Sequence, residues 1–169
     1  MYFSRSSLEL AHAIVEAAQD KRLTLTTAES CTGGLIAACL TEVAGASVVF
    51  MRGFVTYANV AKTDQLGVPE ALLADFGAAS EEVARAMAEG ALERARADIA
   101  VSVTGIAGPG GGTPTKPVGL VHMAAARRGG DTFHRTSRFA GDRQAVRDQA
   151  VDAALALLLR QVETAPARQ

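Results

Sequence analysis

The chain has 169 residues, of which 49% are hydrophobic, a composition that indicates one folded domain and excludes a disordered protein. Its 17 basic and 18 acidic residues are spread along the chain, which argues against nucleic-acid binding and against a membrane-surface patch. No apolar run approaches the ~20 residues of a membrane span, and two cysteines, Cys31 and Cys39, are too few for a disulfide framework or a metal site. We therefore expect a cytoplasmic domain over residues 1–160 and a frayed tail over residues 161–169.

Hydrophobic periodicity and turn residues predict that helices alternate with strands along the chain. The first half is predicted to begin with a helix from a Ser6–Glu9 capping box to about Ala18, followed by a strand at about Leu23–Ala28 and a helix at about Gly33–Val43. One or two strands with a bulge at Gly53 are predicted within Val48–Tyr57. A short helix capped by Asn59 and closed by Gly67 comes next, and the helix restarts after Pro69. The second half is predicted to contain a helix from Ser80, a buried strand at Asp98–Thr104, a hairpin of Val118–Ala126 and Thr132–Phe139, and a last helix capped by Asp142. This order indicates an α/β fold, a three-layer α/β/α sandwich with a mixed, mostly parallel sheet and one antiparallel hairpin.

Three segments that carry reactive or flexible residues directly follow predicted strands. They are the segment around Ser30, the segment Tyr57–Lys62 and the glycine-rich segment Thr104–Thr113. In sheets of this kind, ligands bind where strands end and loops converge. We therefore expect the three segments to form one shared pocket.

The segment Thr27–Gly34 (TAESCTGG) lies between an apolar strand and a run of helix formers. A helix start has unpaired N–H groups and a positive dipole end, both of which favour developing negative charge. Ser30 or Cys31 at such a position is a candidate nucleophile. The simpler interpretation is a Ser/Thr-capped helix, and Glu29 has no predicted role.

A serine nucleophile needs a base, and lysine is a recognised alternative to histidine when burial or neighbouring cations lower its pKa. Among the three lysines, Lys21 is predicted to be solvated and Lys116 lies in a loop. Lys62 closely follows the strand that ends at Tyr57, so it is the candidate base, although a solvated helix lysine would fit the same pattern. The three histidines lie in a predicted helix and in the hairpin strands, which makes them poor candidates: His12, His122 and His134.

The glycine-rich segment after the third predicted strand begins at Gly105 and reads GIAGPGGGT. It matches neither a dinucleotide-binding fingerprint nor a phosphate-binding loop with a terminal Gly-Lys-Ser/Thr. An anion cradle, a lid and a merely flexible loop all fit its composition. Arg143 and Arg147 share one helix face, where they form either a clamp for phosphate or carboxylate or a solvated surface pair.

Taken together, four stretches resemble the CinA C-terminal domain family, known as nicotinamide-nucleotide amidases. They occur in consistent order along the chain: Thr27–Gly34 (TAESCTGG), Gly53–Lys62 (GFVTYANVAK), Thr104–Gly119 (TGIAGPGGGTPTKPVG) and Gly141–Arg147 (GDRQAVR). Larger members of the family carry an additional N-terminal domain, and we expect this chain to correspond to the stand-alone form.

The resemblance implies hydrolysis of the carboxamide of nicotinamide mononucleotide, giving nicotinate mononucleotide and ammonia, without a metal or organic cofactor. Ser30 would be the nucleophile, Lys62 its base, and Tyr57 a residue that orients the substrate or assists proton transfer. Thr104 and Arg143 would contact the substrate. Three glycines complete the predicted substrate-binding set: Gly33, Gly34 and Gly105. The family also implies a homodimer and a role in pyridine nucleotide salvage.

One position departs from the family pattern, because Ala58 stands where a serine is expected between Tyr57 and Asn59. The change removes a hydroxyl near Lys62, which bears on geometry or rate more than on reaction type. Two other functions remain open at this point. One is a non-catalytic nucleotide-binding or competence-linked interaction module, and the other is a thiol amidase that uses Cys31.

Overall fold

The computed structural model describes residues 3–169. Within that range the chain forms five strands and six α-helices, joined by turns and one short 3-10 helix at Ala46–Val48. In chain order they are α1 (Arg5–Asp20), β1 (Leu25–Glu29), α2 (Leu35–Thr41), β2 (Phe50–Val55), α3 (Asn59–Leu66), α4 (Glu70–Phe76), α5 (Glu81–Ala95), β3 (Ile99–Gly105), β4 (Leu120–Arg127), β5 (Phe133–Arg138) and α6 (Arg143–Thr164). No helix of this range is long and apolar enough to cross a bilayer.

The strands form one sheet in the order β2-β1-β3-β4-β5. β1 pairs in parallel with both β2 and β3, whereas β4 runs antiparallel to β3 and to β5. Four of the five strands therefore point the same way, which confirms the predicted mixed, mostly parallel sheet. The sheet also contains an antiparallel pair that was not predicted, since the glycine-rich segment connects β3 directly to its neighbour β4.

Helices cover both faces of the sheet, as predicted for a three-layer sandwich. On one face, α1, α2 and α6 pack on alternate residues of β3, namely Ile99, Val101 and Val103. On the other face, α3, α4 and α5 pack around Ala28 and Ala100. The period-2 alternation of a strand thus divides the interior into two apolar layers on opposite sides of the sheet.

The observed helix starts correct two predicted caps. α1 begins two residues earlier than expected, because Ser4 has an extended backbone and its hydroxyl accepts from the Ser7 N–H. At α3 the capping position is Ala58, not Asn59, and no side chain caps the helix there. The departure at residue 58 therefore removes the hydroxyl from the position where a serine caps most effectively. Two other predicted caps are confirmed: Ser80 for α5 and Asp142 for α6.

The strand predicted within Val48–Tyr57 is one continuous strand, β2, and its irregularity lies beside Met51 instead of at Gly53. The pairing steps from Leu25–Phe50 to Thr26–Arg52 and leaves Met51 without a partner. Gly53 serves a different purpose. A Cβ there would lie 2.9 Å from Thr27 Oγ1 and 3.1 Å from Ala37 Cβ, so glycine lets α2 pack closely on the sheet.

The expected frayed tail is wrong for the residues that directly follow Arg160. Helix α6 continues to Thr164, and the side chains of Gln161 and Val162 are fully buried. Lys21, predicted to be solvated, donates from Nζ to the carbonyls that end this helix: Val162 (2.9 Å), Glu163 (2.6 Å) and Ala165 (2.8 Å). An ammonium group at the negative end of a helix satisfies free carbonyls and stabilises the dipole.

Gly90 determines how closely α3 approaches α5. A Cβ at this position would overlap the backbone carbonyl of Leu66, the last residue of α3. We expect Gly90→Ala to lower the free energy of unfolding by about 1–3 kcal/mol through overpacking, although alanine favours a helix by about 1 kcal/mol over glycine. Thermal or urea unfolding measures the change.

Gly110→Ala is the control, because a Cβ at Gly110 meets no atom within 4 Å and the residue lies in a loop. We expect this variant to unfold like the wild type. Stabilisation by Gly90→Ala would contradict the close packing of α3 on α5.

Candidate active site

The candidate site is a cleft of about 350 Å³ at the edge of the sheet where β1, β2 and β3 end. The chain leaves β1 for α2 on one face of the sheet and leaves β2 for α3 on the other face. Neighbouring strands whose connections diverge in this way open a crevice between their carboxyl ends. Six of the eight predicted site residues line the cleft: Ser30, Tyr57, Lys62, Thr104, Gly105 and Arg143.

The amine of Lys62 lies at the bottom of the cleft beside the hydroxyl of Ser30. Its Nζ is 3.1 Å from Ser30 Oγ, and it donates to the backbone carbonyls of Thr56 at 2.8 Å and Tyr57 at 3.1 Å. Lys62 is only 1% exposed, and no carboxylate in the described part of the chain forms an ion pair with it.

The surroundings of Lys62 favour its neutral form. Burial lowers its pKa below the usual 10.5, since the charged form loses its hydration. A neutral lysine amine has two N–H bonds and one lone pair. The two carbonyls accept the two N–H groups, and the lone pair is then left for the Ser30 hydroxyl. This arrangement is what a general base for a serine nucleophile requires.

Glu29, for which no role was predicted, organises the loop that carries Ser30. Its carboxylate is fully buried and accepts four hydrogen bonds from the loop and the start of α2. The donors are the Thr32 hydroxyl (2.7 Å) and the backbone N–H groups of Gly34 (3.1 Å), Ile36 (3.0 Å) and Ala37 (2.8 Å). A carboxylate that satisfies free N–H groups at a helix start also stabilises the helix dipole.

The two glycines of the loop serve its conformation. Gly33 and Gly34 have φ values of +62° and +99°, which side chains rarely adopt. Their N–H groups bond to the Ser30 carbonyl and to Glu29, and neither residue lines the cleft. The geometry of the cleft therefore does not support the prediction that they bind substrate. Within residues 3–169, the N–H groups of Cys31 and Thr32 donate to no backbone carbonyl.

The two arginines of α6 have separate partners and do not form a joint clamp. Arg147 donates to the carbonyls of Cys31 (3.2 Å) and Thr32 (3.1 Å). It therefore stabilises the Ser30 loop without lining the cleft. Arg143 donates to the Gly108 carbonyl at 2.8 Å and to the Tyr57 hydroxyl at 2.9 Å. Arg143 thereby connects the glycine-rich segment with Tyr57, whose side chain is largely exposed at the rim of the cleft.

Thr104 and Gly105 form the wall of the cleft at the end of β3. The hydroxyl of Thr104 donates to the Ala78 carbonyl at 2.8 Å, which holds the start of α5 against the sheet. A Cβ at Gly105 would lie 2.6 Å from the Leu120 carbonyl oxygen and 2.8 Å from Val121 Cα. Glycine at this position lets β4 begin in contact with the end of β3.

The thiol of Cys31 is a poor alternative nucleophile. Its side chain is buried, and burial raises its pKa to about 11. At neutral pH the thiol therefore stays protonated, whereas the thiolate is the reactive form. Residues 3–169 contain no group of three or more His, Cys, Asp or Glu side chains arranged to hold a metal ion.

Two of the three histidines form a pair that is separate from the Ser30–Lys62 contact. His122 Nδ1 lies 3.1 Å from His134 Nε2, and neither side chain lines the cleft. Both lie on the hairpin strands, as predicted. They are therefore not positioned as a base for Ser30.

Comparison with known proteins identifies the family. The model of the CinA C-terminal domain matches residues 7–162. A CinA-like protein of Akkermansia muciniphila is 57% identical over 154 residues, which is 91% of this chain but 37% of that protein. Escherichia coli K12 nicotinamide-nucleotide amidohydrolase PncC is 51% identical over 154 residues, covering 91% of this chain and 93% of that protein.

A solved structure agrees with the sequence matches. The competence/damage inducible protein CihA of Agrobacterium tumefaciens superposes with a TM-score of 0.93 at 50% identity, covering 96% of this chain and 98% of that one. The chain spans 37% of the length of the curated CinA-like relatives from Akkermansia muciniphila and Geobacter sulfurreducens, in contrast to the E. coli protein. On the family match, the sequence identity and the shared fold, the chain belongs to the CinA C-terminal domain family.

Proposed function

We propose that this chain is an amidohydrolase that converts nicotinamide mononucleotide to nicotinate mononucleotide and ammonia. The name of the E. coli relative supports the substrate and the reaction, since that protein is similar along almost its whole length. The contact between Lys62 Nζ and Ser30 Oγ in a buried cleft is the observation that carries the mechanism. The cleft volume of about 350 Å³ suits a small ligand.

In the first half of the proposed reaction, Ser30 Oγ attacks the carboxamide carbon while Lys62 takes the hydroxyl proton. The N–H groups of Cys31 and Thr32 are the candidate donors to the oxyanion, since neither donates to a backbone carbonyl among the described residues. The tetrahedral intermediate then collapses, the C–N bond breaks, and Lys62 returns the proton to the departing ammonia. The products of this half are ammonia and an ester that joins the carboxyl group of nicotinate mononucleotide to Ser30 Oγ.

In the second half, water attacks the ester and Lys62 takes a proton from it. The acyl–oxygen bond breaks, the proton returns to Ser30 Oγ, and nicotinate mononucleotide leaves. Lysine supplies the base and backbone N–H groups stabilise the charge, so this chemistry requires neither a metal nor an organic cofactor.

Tyr57 and Thr104 are assigned to substrate positioning in this proposal. The pyridinium ring of the substrate is cationic, and an aromatic face such as that of Tyr57 attracts cations. Arg143 holds the Tyr57 hydroxyl, which limits the orientations available to the ring. The reaction would return a nicotinamide nucleotide to pyridine nucleotide salvage. The cytoplasmic location and the absence of nucleic-acid partners stay predictions.

A homodimer is also part of the proposal, because β2 leaves apolar side chains uncovered at one edge of the sheet. Met51 and Val55 on this edge strand are 51% and 49% exposed, and the neighbouring Val48 and Val60 are 69% and 65% exposed. An uncovered edge strand with apolar side chains is a typical site of pairing with another chain. A second copy of this chain would cover it.

The mechanism predicts how three variants differ in ammonia release from nicotinamide mononucleotide. We expect Ser30→Ala and Lys62→Met to lower kcat by at least about a thousandfold, because each removes one partner of the nucleophile–base pair. Cys31→Ala is the matched neighbour and keeps much of the activity. Circular dichroism confirms that each variant is folded, and full activity in Ser30→Ala would sink the mechanism.

Absence of turnover in the wild type, combined with measurable nucleotide binding, would instead favour the non-catalytic binding module. Loss of activity in Cys31→Ala with activity retained in Ser30→Ala would favour the thiol amidase.

The lowered pKa of Lys62 predicts the pH dependence of the reaction. The base is active when neutral, so kcat/KM is expected to rise with pH and level off at a pH below the ordinary lysine pKa of 10.5. Steady-state rates between pH 6 and pH 10 measure this rise of kcat/KM with pH. His122→Gln is expected to show the same rise, because His122 does not contact Ser30 or Lys62. A rate that falls across the same range would be inconsistent with a lysine base.

The proposed dimer predicts that a charged substitution on β2 lowers the molar mass of the protein in solution. Met51→Glu is expected to shift the chain from dimer to monomer in light scattering coupled to size exclusion, since a carboxylate would be buried in the interface. Thr136→Glu on β5, the opposite edge strand, is the control and should leave the mass unchanged. A monomeric wild type would refute the dimer.

A further inference from the structure

The cleft has an unbalanced charge. Two cationic side chains, Lys116 and Arg143, line it together with the buried amine of Lys62, and no aspartate or glutamate is among the lining residues. A cleft lined by one sign of charge attracts ligands of the opposite sign. The anionic part of a ligand is therefore expected to lie beside one or more of these three side chains.

Lys62 is not available for this purpose. Its Nζ is already surrounded by Ser30 Oγ and two backbone carbonyls, and its side chain is 1% exposed. Lys116 and Arg143 lie nearer to the solvent and bond only to neutral groups. Their positive charges are therefore not compensated by any carboxylate in the described part of the chain.

The loop around Lys116 is built to present this side chain at the cleft. The Thr113 hydroxyl accepts from the Lys116 N–H at 3.0 Å, and the Lys116 carbonyl accepts from the Thr113 N–H at 2.8 Å. The ammonium group donates to the carbonyl of Phe76, the last residue of α4. Gly77 leaves room for it, since a Cβ there would lie 2.9 Å from Lys116 Nζ.

We infer that Lys116, together with Arg143, binds the 5′-phosphate of the substrate and makes the site selective for a nucleotide over the corresponding nucleoside. The inference rests on the proposed function and names the group that recognises the phosphate. Lys116 gives up a single neutral carbonyl when it binds phosphate. The replacement is a charge-assisted hydrogen bond to a group that carries nearly two negative charges at neutral pH.

Arg143 has a second task in this arrangement, because it also holds Tyr57 and the Gly108 carbonyl. Substitution of Arg143 would disturb both of these contacts. Lys116 bonds through its ammonium group to Phe76 alone, so its substitution separates phosphate recognition from the rest of the site.

The test compares two substrates that differ only in the phosphate, nicotinamide mononucleotide and nicotinamide riboside. The variant is Lys116→Gln, whose amide can still donate to the Phe76 carbonyl but carries no charge. We expect its kcat/KM for the mononucleotide to fall about tenfold or more, mainly through KM, as for the loss of one hydrogen bond to a charged group. The value for the riboside should stay within about twofold of the wild type.

Arg5→Gln is the charge-matched control, since Arg5 is exposed at the start of α1 and pairs with Glu9. Arg5→Gln removes one positive charge from a residue that does not line the cleft. It should leave kcat/KM unchanged for both substrates. Lys116→Arg should restore part of the preference for the mononucleotide, because the charge returns.

If Lys116→Gln lowered kcat/KM equally for both substrates, or for neither, the role of Lys116 would be overturned while the proposed function stands. If the wild type released no ammonia from the mononucleotide, the proposed function would fail instead. Calorimetric binding of the same two compounds would then still decide the role of Lys116. A preference for the mononucleotide that disappears in Lys116→Gln supports the inference, and an unchanged preference refutes it.

Discussion

The buried carboxylate of Glu29 is the interaction on which the rest of the site depends. Its side chain accepts four hydrogen bonds from the Ser30 loop and the start of α2. Its backbone carbonyl accepts from the Thr56 N–H at 2.9 Å, which fixes the end of β2. Thr56 in turn accepts from Lys62. One residue at the end of β1 thus connects the loop of the nucleophile with the segment that positions the base.

Burial of Lys62 is costly unless its polar atoms have partners, and the surrounding backbone supplies them. Neutral carbonyls favour the ammonium form less strongly than a carboxylate at the same distance would. Among residues 3–169 Lys62 has no ion-pair partner, as a lysine base requires. Close packing at Gly90 brings α3, the helix that carries Lys62, directly against α5.

Most of the architecture could be predicted from local patterns. The buried run of β3 and the caps Ser80 and Asp142 depend on neighbours in sequence, so these elements were predicted with the right type. The errors arise where distant residues decide. Lys21 ends α6 across more than a hundred residues of chain, which neither its local sequence nor that of the tail indicates. Ala58 occupies a cap position because of its backbone, although its side chain cannot serve there.

The alternation of helices and strands, the family, and the choice of Ser30 and Lys62 as candidates follow from residue type and spacing, and they could be read from the sequence. Which polar groups meet depends on the folded arrangement. In the folded chain Glu29 and Arg147 form hydrogen bonds with the Ser30 loop, and Gly33 and Gly34 lie outside the lining of the cleft. The physical reason is that hydrogen bonds form between groups a few ångströms apart in space, and spacing along the chain does not specify that distance.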